Sequence, residues 1–379
     1  MDPNTFTASN GRLVSTQGAW AFVPAPLPPE IELSWSLMNA VTVADRATGK
    51  LAGIGRTLPN PDLLIQSFIR REAVLSSRIE GTEASLSDVA VFEAEGNPAS
   101  EQSDVREVAN YTAALRYGLR RLDELPLSLR FIREVHERLM LDVRGNTRAP
   151  GEFRRIQNWI GGRGSTLATA SYVPPPVVEM AIALDAFEKY LHAESELPLM
   201  IQAAIIHYQF EAIHPFLDGN GRVGRLITTF LLHTASILDQ PLLYLSAYFE
   251  RNRDEYYRLL LAVSSRGAWL EWIHFFLRGV KEQAEDAIGR SEQLLELWQS
   301  YLQRVTSARN SVLLQALLQQ LFENPATTIP QVATRFGITY VAAKKNIDKL
   351  VAWKVLRETE HSRRPKVYLA TEIIEILDA

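Results

Sequence analysis

His214-Pro-Phe-Leu-Asp-Gly-Asn-Gly-Arg-Val-Gly-Arg225 is the stretch around which the rest of the chain is read. It sets one base, His214, one metal ligand, Asp218, an anion-binding turn at Gly219, Asn220 and Gly221, and the cations Arg222 and Arg225 within a short segment. Glycine and asparagine tolerate positive φ, so the turn can gather backbone N–H groups on one concave side. A helix expected to begin near Arg222 points its unpaired N–H groups and its positive dipole end at the same spot. Arg222 and Arg225 stand on one helical face, and guanidinium forks grip phosphate oxygens in pairs. Val223 and Gly224 fall between them and count with the phosphate-binding segment. Asp218 suits magnesium, which takes one or two protein carboxylates and completes its shell with phosphates and water. His214 precedes a proline, which biases it to extended backbone at the lip of the anion site. There an imidazole of near-neutral pKa can take a proton from an attacking hydroxyl. The cradle calls for a polyphosphate, and the base for a nucleophile that attacks it.

Working outward, 177–193 and 197–212 read as helices before this stretch, and 222–237, 252–263 and 267–300 after it. Residues 146–176 hold Gly151, Gly161, Gly162, Gly164 and Pro174-Pro175-Pro176 among β-branched and aromatic residues, the composition of a hairpin or flap. Upstream, apolar residues recur at threes and fours through 31–46, 61–80, 104–122 and 127–142. Residues 1–30, rich in Pro, Gly, Ser and Thr, read as an extended arm laid on the body by Trp20 and Phe22.

From 308 onward the pattern is that of a separate unit. A helix over 309–323 precedes two short helices hinged at Gly337 within Thr327–Leu350, a helix-turn-helix pattern. Val355–Glu358 and Lys366–Leu369 then make two short strands around a polar loop, a wing. Arg335, Lys344, Lys345, Lys349, Lys354, Arg357, Arg363, Arg364 and Lys366 outnumber Asp348, Glu358, Glu360, Glu372, Glu375 and Asp378 here, in a chain of net charge −4. Lys344 and Lys345 fall on the second helix and Arg363-Arg364 on the wing tip, a distribution that suits phosphate contacts. Winged helices also dock proteins, so DNA is one of two partners this unit could take.

Bulk properties bound the rest. A chain of 379 residues calls for two or three folding units, and its 46% hydrophobic residues suffice for ordinary cores. The absence of cysteine excludes thiol chemistry, disulfides and cysteine-based zinc sites, and fits a reducing compartment. No signal core and no membrane-length apolar run are found, so the expectation is a cytoplasmic protein with no membrane partner. His207 and His136 read as packing residues, and no His-x-x-x-His spacing points to zinc.

The central stretch resembles the signature of Fic-domain proteins, His-Pro-Phe-x-(Asp/Glu)-Gly-Asn-Gly-Arg-x-x-Arg, with every fixed position met. That resemblance implies transfer of AMP from ATP to a Ser, Thr or Tyr hydroxyl of a protein, with pyrophosphate leaving. It implies His214 as general base, Asp218 as magnesium ligand, Gly219 to Gly221 as the anion nest, and Arg222 and Arg225 as phosphate clamps. A kinase-like branch carries lysine where this chain has Gly221, which favours nucleotidyl transfer. Ser76-Ser77-Arg78-Ile79-Glu80-Gly81 is similar to the family's inhibitory motif, (Ser/Thr)-x-x-x-Glu-(Gly/Asn). Ser76 and Glu80 would share one face of the helix, and the resemblance implies that Glu80 pairs with Arg225 and takes the cation meant for the γ-phosphate.

The resemblance also makes 146–176 a flap that pins the target's backbone, with Ile160 as the residue named for contact. Tyr248 and Asn252 are the candidates for the adenine pocket, and a homodimer is the assembly it raises. The expected fold is mainly α. An N-terminal arm and helical region occupies 1–100 and a Fic-fold helical core with a small β-hairpin flap occupies 101–285. A linker helix and a winged helix-turn-helix domain complete 286–379. Two rival functions stay open: AMP removal or another nucleotidyl transfer, and a DNA-binding regulator whose Fic site senses nucleotide.

Overall fold

Helix α7, Leu199–Ile213, is buried around nearly its whole circumference, His207, Gln209 and Glu211 included, so it is a central helix. The computed structural model describes residues 3–6, 10–57, 62–96, 103–143, 149–162, 164–235, 237–238, 240–306, 311–359 and 365–379. The chain divides into two units, one of residues 1–52 and 113–284, the other of 53–112 and 285–379. This differs from the three consecutive parts expected with the resemblance, 1–100, 101–285 and 286–379. Helices α1 (Trp35–Thr57), α4 (Ser103–Arg121) and α11 (Trp269–Thr306) each give residues to both units.

In the first unit α7 is enclosed by α6 (Val177–His192), α8 (Asn220–Thr234) and α10 (Arg253–Arg266). The polar groups that reach this core are paired there. Trp272 Nε1 donates to the Ala204 carbonyl at 2.8 Å, and Tyr208 and Ser264 share a 2.8 Å hydrogen bond. Helix α5 (Leu129–Leu139) packs on α8 through Phe131, whose ring meets Phe230 edge-on at 5.1 Å. A short helix, α9 (Ser246–Arg251), precedes α10 and was not expected.

The N-terminal arm is a hairpin rather than an extended segment. Strands β1 (Gly11–Thr16) and β2 (Ala19–Pro24) pair antiparallel, from Gly11 opposite Pro24 to Thr16 opposite Ala19. Gln17 and Gly18 turn the chain with positive φ at both positions, the two-residue turn whose twist matches paired strands. Only one of the two expected anchors holds: Phe22 is buried, whereas Trp20 is 42% exposed. Phe22 N–H donates to the Val173 carbonyl at 2.9 Å, and Gln209 of α7 donates to the Ala25 carbonyl at 2.9 Å.

The second unit contains α2 (Asp62–Ile79), α3 (Leu86–Ala94), α12 (Ser311–Glu323), α13 (Ile329–Phe336), α14 (Tyr340–Ala352) and α15 (Thr371–Asp378). Helix α3 went unforeseen although Ser85 and Asp88 form a reciprocal capping box at its start. Strands β3 (Ala326–Thr328), β4 (Arg357–Glu358) and β5 (Val367–Leu369) form an antiparallel sheet in the order β3-β5-β4. Thr328 and Gln331 make a second capping box, Gly337 ends α13 in the left-handed region, and Thr339 caps α14. Strand β4 starts later than expected because Val355 and Leu356 both donate to the Leu350 carbonyl, finishing the helix turn. Arg363, Arg364 and Glu360 lie outside the described residues.

Candidate active site

Helix α7 ends at Ile213, and His214 takes the left-handed residue that closes it, φ 50° and ψ 60°, not the extended backbone expected ahead of a proline. Its N–H still donates to the Phe210 carbonyl at 3.0 Å. A non-glycine residue in this region costs about 1–3 kcal/mol and persists only where its surroundings dictate it. Here they do. The His214 carbonyl accepts from Arg154 Nε at 3.0 Å and Asn158 Nδ2 at 3.4 Å. The Pro215 carbonyl accepts from the Arg154 backbone N–H at 2.9 Å. The Phe216 carbonyl accepts from Asn158 at 2.9 Å and from Asn220 at 2.8 Å, while Asn220 Oδ1 receives the Phe216 N–H at 2.8 Å. His214 Nδ1 lies 3.3 Å from the Glu211 carbonyl. A carbonyl only accepts, so Nδ1 carries the proton and Nε2 is the basic nitrogen.

His136 pins the other half of the loop. The Gly151 N–H donates to its Nδ1 at 2.9 Å, which makes Nε2 the protonated nitrogen and lets it donate to the Asp218 carbonyl at 3.1 Å. The ring stacks on Phe216 at 3.7 Å and 5°. Burial pushes its pKa down to about 4, with the Arg222 charge adding to the effect and the Asp218 carbonyl opposing it. It packs, as expected, but its work is to orient the loop. Arg154, Asn158 and His136 were missed as site residues because nothing in their local sequence shows what they reach. Their effect is to turn four carbonyls of the loop toward the protein.

Gly219 is the N-cap of α8 at φ 76°, and the helix starts at Asn220, two residues earlier than expected. Of the three residues read as an anion nest, only Gly219 is left-handed, while Asn220 clamps Phe216 with its side chain. The donors facing an anion are therefore those of a helix's opening turn. A side chain at Gly219 would have its Cβ 3.0 Å from Met140 Sδ. Arg222 and Arg225 are both buried, 4% and 3% exposed, which concentrates positive charge at the helix start. Val223 is fully buried and Gly224 faces α7, where a Cβ would stand 2.2 Å from Glu211 Oε1. These two positions serve helix packing.

A model of the Fic/DOC family N-terminal region matches residues 38–120, and the Fic/DOC family model matches residues 126–232. The chain carries a Fic/DOC domain. The protein adenylyltransferase Fic of Drosophila virilis is 36% identical over 132 residues, 34% of this chain and 25% of that protein. That of Drosophila grimshawi is 34% identical over 132 residues, again 25% of its length. The match thus spans about a quarter of these curated relatives. A crystal structure of a Fic family protein from Desulfovibrio desulfuricans G20 has the same fold, with TM-score 0.58 and 18% identity over 91% of this chain and 98% of that one. A fragment of Fic-1 from C. elegans aligns with TM-score 0.52 and 22% identity, covering 69% of this chain and 74% of the fragment.

In the Fic/DOC domain the flap is anchored rather than regular. The expected hairpin reduces to a single antiparallel bridge, Ile160 to Tyr172, with backbone bonds of 2.8 and 3.2 Å, and residues 146–148 and Arg163 lie outside the described residues. Ile160 is half-buried, whereas Ile156 and Trp159 are exposed. Tyr172 OH donates to the Ala212 carbonyl at 2.8 Å, tying the return limb to the last turn of α7.

Tyr248 lies in α9 with its ring against Phe275 at 4.8 Å and over Gly279, where a Cβ would stand 2.6 Å from it. Burial raises its pKa to about 12. Asn252 spends its amide on the Tyr248 carbonyl at 2.9 Å, at the joint between α9 and α10. Both candidates for the adenine pocket are thus engaged in packing or local bonds. His207 is enclosed by Trp272, Phe249 and Tyr256. Thr228 donates to the Gly224 carbonyl and so accepts from His207 Nδ1 at 3.0 Å, leaving Nε2 to accept from Tyr256 OH at 2.8 Å. Burial, then the Arg225 charge, lowers the His207 pKa to about 3.

Ser76 is buried on α2, but the helix ends at Ile79, so Glu80 stands in the exposed turn that follows, its N–H donating to the Ser77 carbonyl at 3.0 Å. Gly81 completes that turn at φ 95°. Among the described residues no cluster of three or more His, Cys, Asp or Glu side chains could hold a metal ion. Asp218 instead offers one partly exposed carboxylate at the helix start, 3.9 Å from Arg222 and accepting the Gly219 N–H at 2.7 Å. That fits a magnesium ion held mainly by phosphates and water. Among the described residues no helix is long and apolar enough to cross a membrane.

Proposed function

We propose that this chain is an autoinhibited protein adenylyltransferase that moves AMP from ATP to a Ser, Thr or Tyr hydroxyl of a protein. The observation that carries the reading is His214, locked in a left-handed conformation immediately before a helix start that holds two buried arginines. The target hydroxyl oxygen attacks the α-phosphorus, His214 Nε2 takes its proton, and the bond to the pyrophosphate oxygen breaks in line. Arg222, Arg225 and the first N–H groups of α8 hold the phosphates and absorb charge, which is where most of the barrier is lowered in such transfers. A magnesium ion at Asp218 would neutralise phosphate charge when bound. The activity for which the Drosophila relatives are named supports the same chemistry.

Glu80 is the brake in this reading, a carboxylate that competes with the γ-phosphate for Arg225. Incubation with α-labelled ATP and magnesium tests the whole scheme. Label is expected in Glu80→Gly, less in the parent protein and none in His214→Ala. Label in none of the three would overturn the adenylyltransferase in favour of a nucleotide sensor.

A second reading concerns the C-terminal unit, which we take to be a winged helix. Helix α14 follows α13 across the Gly337 turn and exposes Tyr340, Val341, Lys344 and Lys345 on one side, a face that suits a DNA groove. A gel shift with random duplex at low salt, lost in a Lys344→Ala, Lys345→Ala variant, tests it. No shift at any protein concentration would assign this face to another partner.

A further inference from the structure

Arg154 is 2% exposed, and no carboxylate among the described residues is set against it. Its guanidinium is spent on carbonyls alone: His214 at 3.0 Å from Nε, Ile156 at 3.3 Å from Nη1, and Pro175 at 2.5 Å from Nη2. Its backbone N–H holds the Pro215 carbonyl as well. Ile156 lies on the outgoing limb of the flap and Pro175 at the end of the return limb, which β2 braces through Phe22 and Val173. A buried charge without a counter-ion is costly, and burial lowers its pKa to about 10. Scaffolding alone could be supplied by neutral donors. What the planar fork adds is one rigid plate contacting three separate backbone segments.

We propose that Arg154 is the positioning residue through which the flap sets the catalytic histidine, so that a target backbone lying on the flap meets His214 at a fixed distance. This rests on the adenylyltransferase reading. The test uses the full chain carrying Arg154→Gln or Arg154→Lys, each also combined with Glu80→Gly. Self-labelling from α-labelled ATP is expected to fall about ten- to a hundred-fold in both, the usual effect of a displacement near 1 Å. The dissociation constant for ATP with magnesium should stay within about two-fold, because the loss is in the transfer step. Hydrogen exchange should rise together at the amides of residues 154, 160 and 214. Full labelling in the lysine variant would overturn the proposal, since charge without the fork would then suffice. So would faster exchange confined to residue 154. If the Glu80→Gly protein itself takes no label, the reading of function fails, and the exchange measurement still decides the role of Arg154.

A separate set of contacts carries a second inference, which rests on Glu80 as the brake. Helix α2 is bolted into the C-terminal unit. Ser67 Oγ donates to the Phe322 carbonyl of α12 at 2.7 Å. Arg70 grips Glu93 at 2.9 and 2.7 Å and also donates to the Glu323 carbonyl. Arg71 donates to the Leu377 carbonyl of α15 at 2.9 Å and pairs with Asp286 at 3.1 Å. We infer that the position of Glu80 is set by α12 and α15, so the C-terminal unit controls the brake. Arg71→Ala and the milder Ser67→Ala should raise self-labelling in the direction of Glu80→Gly. Combined with Glu80→Gly they should add nothing, the non-additivity of two steps on one route. Unchanged labelling in both single variants, or full additivity in the double ones, would overturn the inference. A Glu80→Gly protein no faster than its parent would instead remove the brake itself.

Discussion

The loop from His214 to Asn220 and the end of α2 from Ser76 to Gly81 are both short helix-terminal segments with a left-handed residue, yet they are built in opposite ways. In the first, four backbone carbonyls are claimed by side chains or backbone from residues 136–158 and by Asn220. In the second, the helix is anchored along Ser67, Arg70 and Arg71, and Glu80 just past its end stands in an exposed turn. Catalytic groups gain from preorganisation, since a loop that needs no rearrangement at the moment of reaction loses nothing to it. On the proposed function, Glu80 instead owes its placement to a firmly held helix behind it.

The variants that probe this contrast differ in size and sign. The largest effect is expected at His214→Ala, which should lower transfer by about 10²–10⁴-fold, the ordinary worth of a positioned base, with ATP affinity retained. Label incorporated per minute under saturating ATP is the measurement, and loss of ATP binding in parallel would mean that the histidine only shapes the loop. Glu80→Gly should act in the other direction, raising transfer by about 5–150-fold, the span of a typical coupling energy. A smaller effect, read as lost stability, is expected at Gly219→Ala. There the added Cβ meets Met140 Sδ at 3.0 Å and the left-handed φ of 76° is strained for any L side chain. Its thermal unfolding should reveal a loss of about 1–3 kcal/mol. No comparable loss is expected at Gly49, where nothing lies within 4 Å of an added Cβ.

How far the sequence carried these assignments depended on distance along the chain. The signature residues were legible because their spacing is local, and so was the long run of helices, whose apolar period needs no tertiary knowledge. The N-terminal hairpin was not, because Gln17-Gly18 is a weak turn signal beside the stronger Pro-rich run that follows. The start of α8 was placed two residues late because Asn220 was read for its tolerance of positive φ, whereas its side chain bridges Phe216 within a helical backbone. His136 and Arg154 lie 82 and 60 residues from the carbonyls they hold, and no periodicity reports on such a bond.

The smallest expected effect concerns pH, and it sharpens the contrast because the two most deeply buried histidines with lowered pKa lie on the rigid side. His136 and His207 are held near pKa 4 and 3, below the ordinary histidine value of 6.5, chiefly by burial. At these two histidines the unfolded chain therefore binds more protons than the native one below pH 6.5, so the stability they contribute is full above that value and lost as pH falls toward 4 for His136 and 3 for His207. His136→Phe keeps a ring to stack on Phe216 but strands the Asp218 carbonyl and the Gly151 N–H, at a cost of about 1–3 kcal/mol at neutral pH. It also removes one of the buried histidines that titrate, so the unfolding midpoint should fall less steeply between about pH 6 and 4 than in the parent. His207, half-buried His233 and the carboxylates with lowered pKa, Glu134 and Glu271, keep the rest of the slope. A variant as acid-sensitive as its parent would mean that His136 already binds a proton in the native loop, and with Gly151 N–H donating to Nδ1 there is no room for one.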